Sequence, residues 1–205
     1  MHLKSSILPL LATVTLASAT EIDLTPIVSD YVANGAKIHQ LTFKDGDRRI
    51  QYEPPGDWTL EPGAAQLTLK AKQIFAQAVI SVTPLLKPQP LDDSIIKSLT
   101  EKVLAELPVG SQFAKVDEQT ANPVLVGGHE SVEVTVSYQL AGEKFVRSVL
   151  VSNLPDAQLQ FRLSAKKSDF AALHREFKVS LLTWQWTEAK QDSADSTQSG
   201  PAAGQ

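Results

Sequence analysis

The sequence contains no cysteine among its 205 residues. It therefore offers no thiol nucleophile, no cysteine-bound zinc or iron–sulfur cluster and no disulfide bond. A lipid anchor of the kind attached to a cysteine at a cleavage point is excluded for the same reason. The chain must be stabilised by its hydrophobic core, because a framework of disulfides is not available to it.

The sequence also has little excess charge and few catalytic signals. Its formal net charge is −4, and a mildly acidic chain is poorly suited to nucleic acid or to an anionic membrane surface. The motifs GxSxG and HExxH and a glycine-rich phosphate loop are absent from the sequence. We therefore expect no enzymatic activity, no cofactor and no nucleic-acid partner.

The first residues have the composition of a processing segment. Residues 1–19 combine the basic Lys4, an uncharged and largely apolar stretch, and a small-residue A-x-A pattern that ends at Ala19. This combination predicts a signal peptide, and the apolar stretch is too short to cross a bilayer, which needs about 20 apolar residues. We expect an exported protein, periplasmic or secreted, with no stable membrane anchor after cleavage.

The remainder of the chain is predicted to form one domain with two flanking segments. Residues 188–205 contain no large apolar side chain, which predicts a disordered tail. Residues 35–187 are predicted to form a single domain, and residues 20–34 a lead-in to it. Five apolar residues of the lead-in could dock on that domain: Ile22, Leu24, Ile27, Val28 and Tyr31.

Alternating apolar and polar residues predict antiparallel strands through most of the domain. Asp45-Gly46 is a strong hairpin signal, and successive strands joined by tight turns must be antiparallel. The segments expected to be extended are 36–54, which forms the hairpin, and 64–73, 74–86, 111–119, 123–140, 144–153 and 157–165.

Two segments change to a helical period. Apolar residues recur every four positions from Leu91 to Leu107, behind the capping residue Asp92. A second helix is predicted from Ser168 or Asp169 up to the tryptophans near the end of the domain. Its buried stripe is expected to be Phe170, Leu173, Phe177 and Leu181. Each helix has one apolar stripe, which predicts an α+β domain on a curved antiparallel sheet flanked by helices.

The corner YEPPGDWTL is one of the few distinctive features of the chain. Pro54 and Pro55 cannot donate ladder hydrogen bonds and should end a strand. Gly56 allows the turn, and Asp57 is expected to cap it. Trp58 is expected to return to the core as an anchor.

This corner gives the chain a family resemblance. A Pro-Pro-Gly-x-Trp corner after an opening hairpin, the helix at 91–107 and the closing aromatic helix at 169–184 resemble the PsbP/Mog-like superfamily over residues 36–187. The resemblance implies an α/β/α sandwich. It also implies a non-enzymatic accessory or binding role like that of exported DcrB- or LpqN-type proteins. Many exported members are lipoproteins, and this chain departs from them because it has no cysteine.

Five residues form a candidate partner surface. The two arginines are included because arginine is enriched at interfaces. The histidine and the glutamate follow a Gly-Gly turn that could present them to solvent, and one of the last two tryptophans should be partly exposed. For each residue the alternative is ordinary packing or a solvated strand end. The candidates are Arg48, Arg49, His129, Glu130 and Trp186.

We therefore expect an exported non-catalytic accessory or protein-binding module whose partner is a protein of the cell envelope. The alternative is a small-ligand or metal-binding periplasmic protein that uses a cleft between the sheet and the 91–107 helix. Its candidate groups are His39, His129 and Glu130. Metal binding is the less favoured of these, because neighbouring strand residues such as His129 and Glu130 point to opposite faces.

Overall fold

A computed structural model describes residues 22–56 and 58–188. The predicted signal peptide, Asp57 with its expected capping role, and residues 189–205 lie outside the described residues. The helices are α1 (Asp93–Ala105) and α2 (Lys167–Leu181). The strands are β1 (Ile22–Ala33), β2 (Ala36–Asp45), β3 (Arg48–Tyr52), β4 (Trp58–Glu61), β5 (Gln66–Ala71), β6 (Ala76–Pro84), β7 (Gln112–Ala121), β8 (Ser131–Leu140), β9 (Glu143–Asn153), β10 (Ala157–Lys166) and β11 (Gln185–Glu188).

The strands divide between two antiparallel sheets. Four strands have the order β1-β2-β3-β11, and seven have the order β4-β5-β6-β10-β9-β8-β7. The expected α+β class is confirmed, although we expected one sheet. The corner explains the division, because β3 ends at Tyr52 before Pro54-Pro55 and the chain re-enters the other sheet at Trp58. Trp58 is buried in the core, as expected.

The larger core lies between the two sheets and α2. The predicted stripe of α2 is buried there. Trp184, which follows the helix and is fully buried, contacts three rings at centroid distances of 5.4 to 5.6 Å. These rings belong to both sheets: Phe43, Tyr52 and Phe161.

A second core covers the opposite face of the seven-stranded sheet. Leu99 and Val103 of α1 pack on Val132, Val134 and Val136 of β8 and on valines of β9. Asp92 caps α1 as predicted, because its Oδ1 accepts the backbone N–H groups of the second and third residues after it at 3.0 and 3.1 Å. Helices therefore cover both faces of this sheet, as the α/β/α arrangement requires.

The lead-in is a strand, and most of its apolar residues do not dock. Ile22 and Leu24 are buried. A bulge lies between Asp23 and Ile27 in the pairing of β1 with β2, and the strand beyond it extends past the core. Three of the expected docking residues are therefore exposed: Ile27, Val28 and Tyr31.

The second helix starts without the expected cap. Lys166 occupies the capping position and makes no side-chain capping hydrogen bond. Ser168 and Asp169 lie in the first turn instead. The reason is that β10 runs directly into α2 with no intervening loop.

Two further boundaries differ from the prediction. Residues 123–130 form a loop, because the backbone groups of Val126 and His129 exchange two hydrogen bonds of 3.0 Å across two glycines with positive φ. Strand β8 therefore begins only at Ser131. The closing helix ends at Leu181, and the chain then extends into β11, which pairs with β3. Glu188, predicted to begin the tail, is the last residue of β11.

Candidate functional site

Three of the five predicted surface residues meet around one buried carboxylate. Asp45, at the end of β2, accepts a hydrogen bond at its Oδ2 from Trp186 Nε1 (2.9 Å) and from Arg48 (2.6 Å). The His129 ring lies edge-on to Trp186 with a centroid distance of 5.4 Å. The structure therefore brings Arg48, His129 and Trp186 together, and we call this group the Asp45 corner.

The Asp45 corner is closely packed by the loop of residues 123–130. Gly127 has a φ of +55°, and a Cβ added there would lie 1.9 Å from Cζ3 of Trp186. The indole N–H is already bonded, so Trp186 is anchored rather than free to reorient. Packing of this kind is the alternative that the sequence left open, and a partner-binding role for the corner stays a prediction.

The other two candidates lie apart from this group. Arg49 donates to the carbonyl oxygen of Arg48 at 3.2 Å. Glu130 is exposed, and its backbone carbonyl accepts from Ser152 Oγ at 2.9 Å. Within residues 22–56 and 58–188, the side chain of Glu130 makes no hydrogen bond to another residue.

The histidines proposed for a metal site are not assembled. His39 Nδ1 lies 2.5 Å from Asp30 Oδ1 on the β1–β2 hairpin, whereas His129 packs on Trp186. Among the residues that the structure describes, no group of three or more His, Asp or Glu side chains is placed to hold a metal ion.

A buried glutamate forms a polar network that the sequence analysis missed. Glu133 of β8 faces α2, where His174 Nε2 lies 2.5 Å from its Oε1 and Lys178 Nζ lies 3.3 Å from its Oε2. Ser148 of β9 donates its hydroxyl to the same Oε1. A glutamate flanked by valines on a strand buried on both faces was the available signal, because such a carboxylate needs partners.

The charge on Glu133 is strongly stabilised. Burial alone would raise its pKa, but the hydrogen bonds from His174 and Ser148 and the charge of Lys178 outweigh burial and lower the pKa to about 2. In a serine hydrolase the histidine stands between the serine and the acid. Here the carboxylate lies between Ser148 and His174, so the order of the three groups differs from that in a serine hydrolase.

The β1–β2 hairpin extends beyond the rest of its sheet. Strand β3 pairs with β2 only from Leu41 to Asp45, so residues 36–40 of β2 pair with β1 alone. We call residues 27–41 the ribbon. Tyr31 Oη donates to Glu53 Oε1 at 2.6 Å, and Lys37 pairs with Asp30 at 2.8 Å. The first contact ties the ribbon to the chain just after β3, and the second joins the two strands of the ribbon to each other.

The ribbon carries exposed apolar side chains on an open edge. Strand β1 is the terminal strand of its sheet within the described residues, so its outer backbone groups have no partner strand beyond Leu24, which bonds to Ala64. Val32 is 72% exposed, and Ile27 and Val28 are more than half exposed. An edge of this kind is a template for another strand.

No family model matches the chain, and no curated protein matches it. Among solved structures, LpqN, described as involved in cell envelope biogenesis of Mycobacterium tuberculosis, has a TM-score of 0.50 and 17% identity over 79% of this chain and 91% of LpqN. At this identity the likeness shows that the chain and LpqN share a fold. The likeness to LpqN confirms, for the fold, the resemblance seen in the sequence.

Two other solved structures are more distant in shape. The solution structure of cyanobacterial PsbP from Synechocystis has a TM-score of 0.49 and 12% identity over 88% of this chain and 99% of its own. A protein from Bacteroides thetaiotaomicron has a TM-score of 0.43 and 14% identity over 69% of this chain. The present chain spans 46% of that protein's length.

Proposed function

We propose that this chain is an exported, non-catalytic accessory module that binds an extended segment of an envelope protein along the edge of β1. The observation that carries the proposal is the ribbon, with its exposed apolar side chains and unpartnered backbone. Export is supported by the signal-peptide pattern of residues 1–19. LpqN, a protein of similar fold, is described as involved in cell envelope biogenesis, and we propose the cell envelope as the location of this chain's partner.

The polar network supports a non-catalytic role. Glu133, His174 and Ser148 are the only histidine, acid and serine that we find hydrogen-bonded together among the described residues. Ser148 is buried, so its hydroxyl is out of reach of a substrate. Such a network holds α2 against β8 and β9, which is a structural task.

The expected partner segment is an extended strand with apolar side chains and basic flanks. Strand addition uses main-chain hydrogen bonds for affinity and alternate side chains for specificity. The charged side chains of β1 are Asp23 and Asp30, both acidic. A second copy of β1 paired in the antiparallel register centred on Asp30 would place two aspartates opposite each other, which is unfavourable. A basic segment of another protein is therefore favoured over self-association.

The test uses tagged protein expressed with its own leader and a matched pair of exposed valines. Val32 lies on the ribbon, and Val109, which is fully exposed, lies in the turn after α1. Envelope proteins that travel with native, Val32→Asp and Val109→Asp proteins are compared by quantitative mass spectrometry. We expect a partner that the Val32→Asp change depletes at least tenfold and that the Val109→Asp change leaves unaffected.

Strand addition is then tested with the partner's binding segment as a synthetic peptide. Backbone amides of residues 27–33 should exchange more slowly with solvent when the peptide is bound, because new ladder hydrogen bonds protect them. Equal recovery of partners by the two aspartate variants, or unchanged exchange along β1 with bound peptide, would overturn the proposal.

A further inference from the structure

The face of the seven-stranded sheet that carries α1 also holds a buried arginine that forms no ion pair among the described residues. Arg147 of β9 is 7% exposed. Its Nε donates to Ser164 Oγ at 3.0 Å, and a terminal nitrogen donates to the Glu106 carbonyl at 2.7 Å. Among the described residues, no carboxylate lies within ion-pair distance of this guanidinium. A buried charge without a directly paired counter-ion is costly.

A second arginine shares this face. Arg162 of β10 is half-buried and lines the same groove as Arg147. In the part of the chain that the structure describes, its side chain forms no hydrogen bond and no ion pair. Burial lowers the pKa of Arg147 and the positive charge of Arg162 lowers it further, whereas Tyr138 and the charge of Glu106 act in the opposite direction. An anion placed between the two guanidinium groups would relieve both effects.

Aromatic rings line the groove next to the arginines. Phe145 stacks on Tyr138 with a centroid distance of 5.7 Å and meets Phe75 edge-on at 5.5 Å. The Arg147 guanidinium carbon lies 5.9 Å from the centre of the Tyr138 ring. Phe75 is 69% exposed, which leaves an apolar ring at the groove's mouth with no cover.

The size of the groove limits the ligand. Its volume is about 140 Å³, and an apolar cavity of about 150 Å³ is known to hold one benzene molecule. The remaining lining residues include Val79, Pro108 and Leu140, so one side of the groove is apolar. The volume therefore admits one six-membered ring and little more, so the ligand's anionic group must be a small one on that ring, placed where Arg162 borders the groove.

We propose that this groove binds a small aromatic carboxylate, with its carboxylate between Arg147 and Arg162 and its ring against the Phe75–Phe145 pair. Arginine pairs well with carboxylates because its planar fork can donate two parallel hydrogen bonds. A free aromatic acid and a peptide ending in phenylalanine present this same chemistry. The groove lies on the seven-stranded sheet, and the proposal does not depend on the function of the ribbon.

The test is a titration of the protein followed by ¹H–¹⁵N NMR. Benzoate is compared with benzamide, which keeps the ring without the charge, and with acetate, which keeps the charge without the ring. We expect saturable shifts around residues 145–149 and 162–164 with benzoate and at least tenfold weaker binding of the other two. N-acetylglycyl-phenylalanine separates the sources: tighter binding than benzoate assigns the groove to a peptide end, and weaker binding assigns it to a free acid.

Matched arginine variants locate the site. Arg162→Gln should weaken benzoate binding about tenfold or more, the size expected for the loss of a charge-assisted hydrogen bond. Arg175→Gln, at an exposed arginine of α2, should leave binding unchanged, and the spectra show directly that both variants are folded. Equal binding of benzoate and benzamide, an unaffected Arg162→Gln variant, or no saturable shift up to roughly 20 mM benzoate would overturn the proposal.

Discussion

The network around Glu133 makes stability depend on pH in a defined direction. The pKa of Glu133 is lowered from 4.5 to about 2 in the folded protein. One pKa unit corresponds to about 1.4 kcal/mol, so the ionised carboxylate contributes about 3 kcal/mol to the free energy of unfolding at neutral pH. Because the folded-state pKa is the lower one, this contribution is complete well above pH 4.5 and is lost as the pH falls through 2.

Replacement of Glu133 by glutamine tests this magnitude. Glutamine preserves the volume and removes the charge, so the variant should be about 3 kcal/mol less stable than the native protein at pH 7. At pH 3 the native protein has already lost about 2 kcal/mol of the same contribution, and the difference should shrink to about 1 kcal/mol. The measurement is urea unfolding followed by tryptophan fluorescence, with Trp184 as a fully buried reporter.

The exposed neighbour Glu130 provides the matched control. Glu130→Gln should change the free energy of unfolding by less than about 0.5 kcal/mol at both pH values, as expected for a surface substitution. A Glu133→Gln cost that is the same at pH 7 and pH 3, or one below about 1 kcal/mol at pH 7, would refute the ion-pair reasoning.

Two further predictions concern the loop glycine Gly127 and the helix-capping residue Asp92, and both can be checked by thermal and chemical unfolding. Gly127→Ala should lower the free energy of unfolding by about 3 kcal/mol or more, because it adds left-handed strain of about 1–2 kcal/mol and displaces Trp186. Gly128→Ala is the control: with φ +85° and nothing within 4 Å of an added Cβ, it should cost only the strain. Equal losses for the two variants would contradict the packing of the loop. Asp92→Ala should cost about 1 kcal/mol through loss of the helix cap, whereas Asp93→Ala should cost less than half of that.

Local patterns in the sequence predicted most of the elements. The four-residue recurrence of apolar side chains located α1, and Asp45-Gly46 located the hairpin, because both signals depend on interactions close in the chain. Pro54-Pro55 correctly ended a strand. The two prolines did not reveal that the next strand belongs to a second sheet, because the sheet that a strand joins depends on pairing partners far away in the sequence.

The errors fall where tertiary contacts decide the conformation. The four residues of β11 are too few to show a strand period, and only their pairing with β3 makes them a strand. The apolar residues of β1 indicated burial, but the bulge before Ile27 directs the strand past the core.

The candidate sites were predictable only in part. The sequence analysis selected Arg48, His129 and Trp186, which do converge, but it could not supply Asp45 as the group that joins them. Arg147 and Arg162 were overlooked because each stands alone between uncharged neighbours in its strand. Their common face becomes visible only when β9 and β10 are paired in register.

We propose that a partner strand adds to the edge of β1. A photo-crosslinking residue at Val32 of the full chain, expressed in cells, would capture such a partner, with the same residue at Val109 as the control. We predict one discrete crosslinked protein from position 32, with the crosslink in an extended segment of that protein, and none from position 109. Crosslinks of equal yield from both positions, or none from position 32, would contradict the claim.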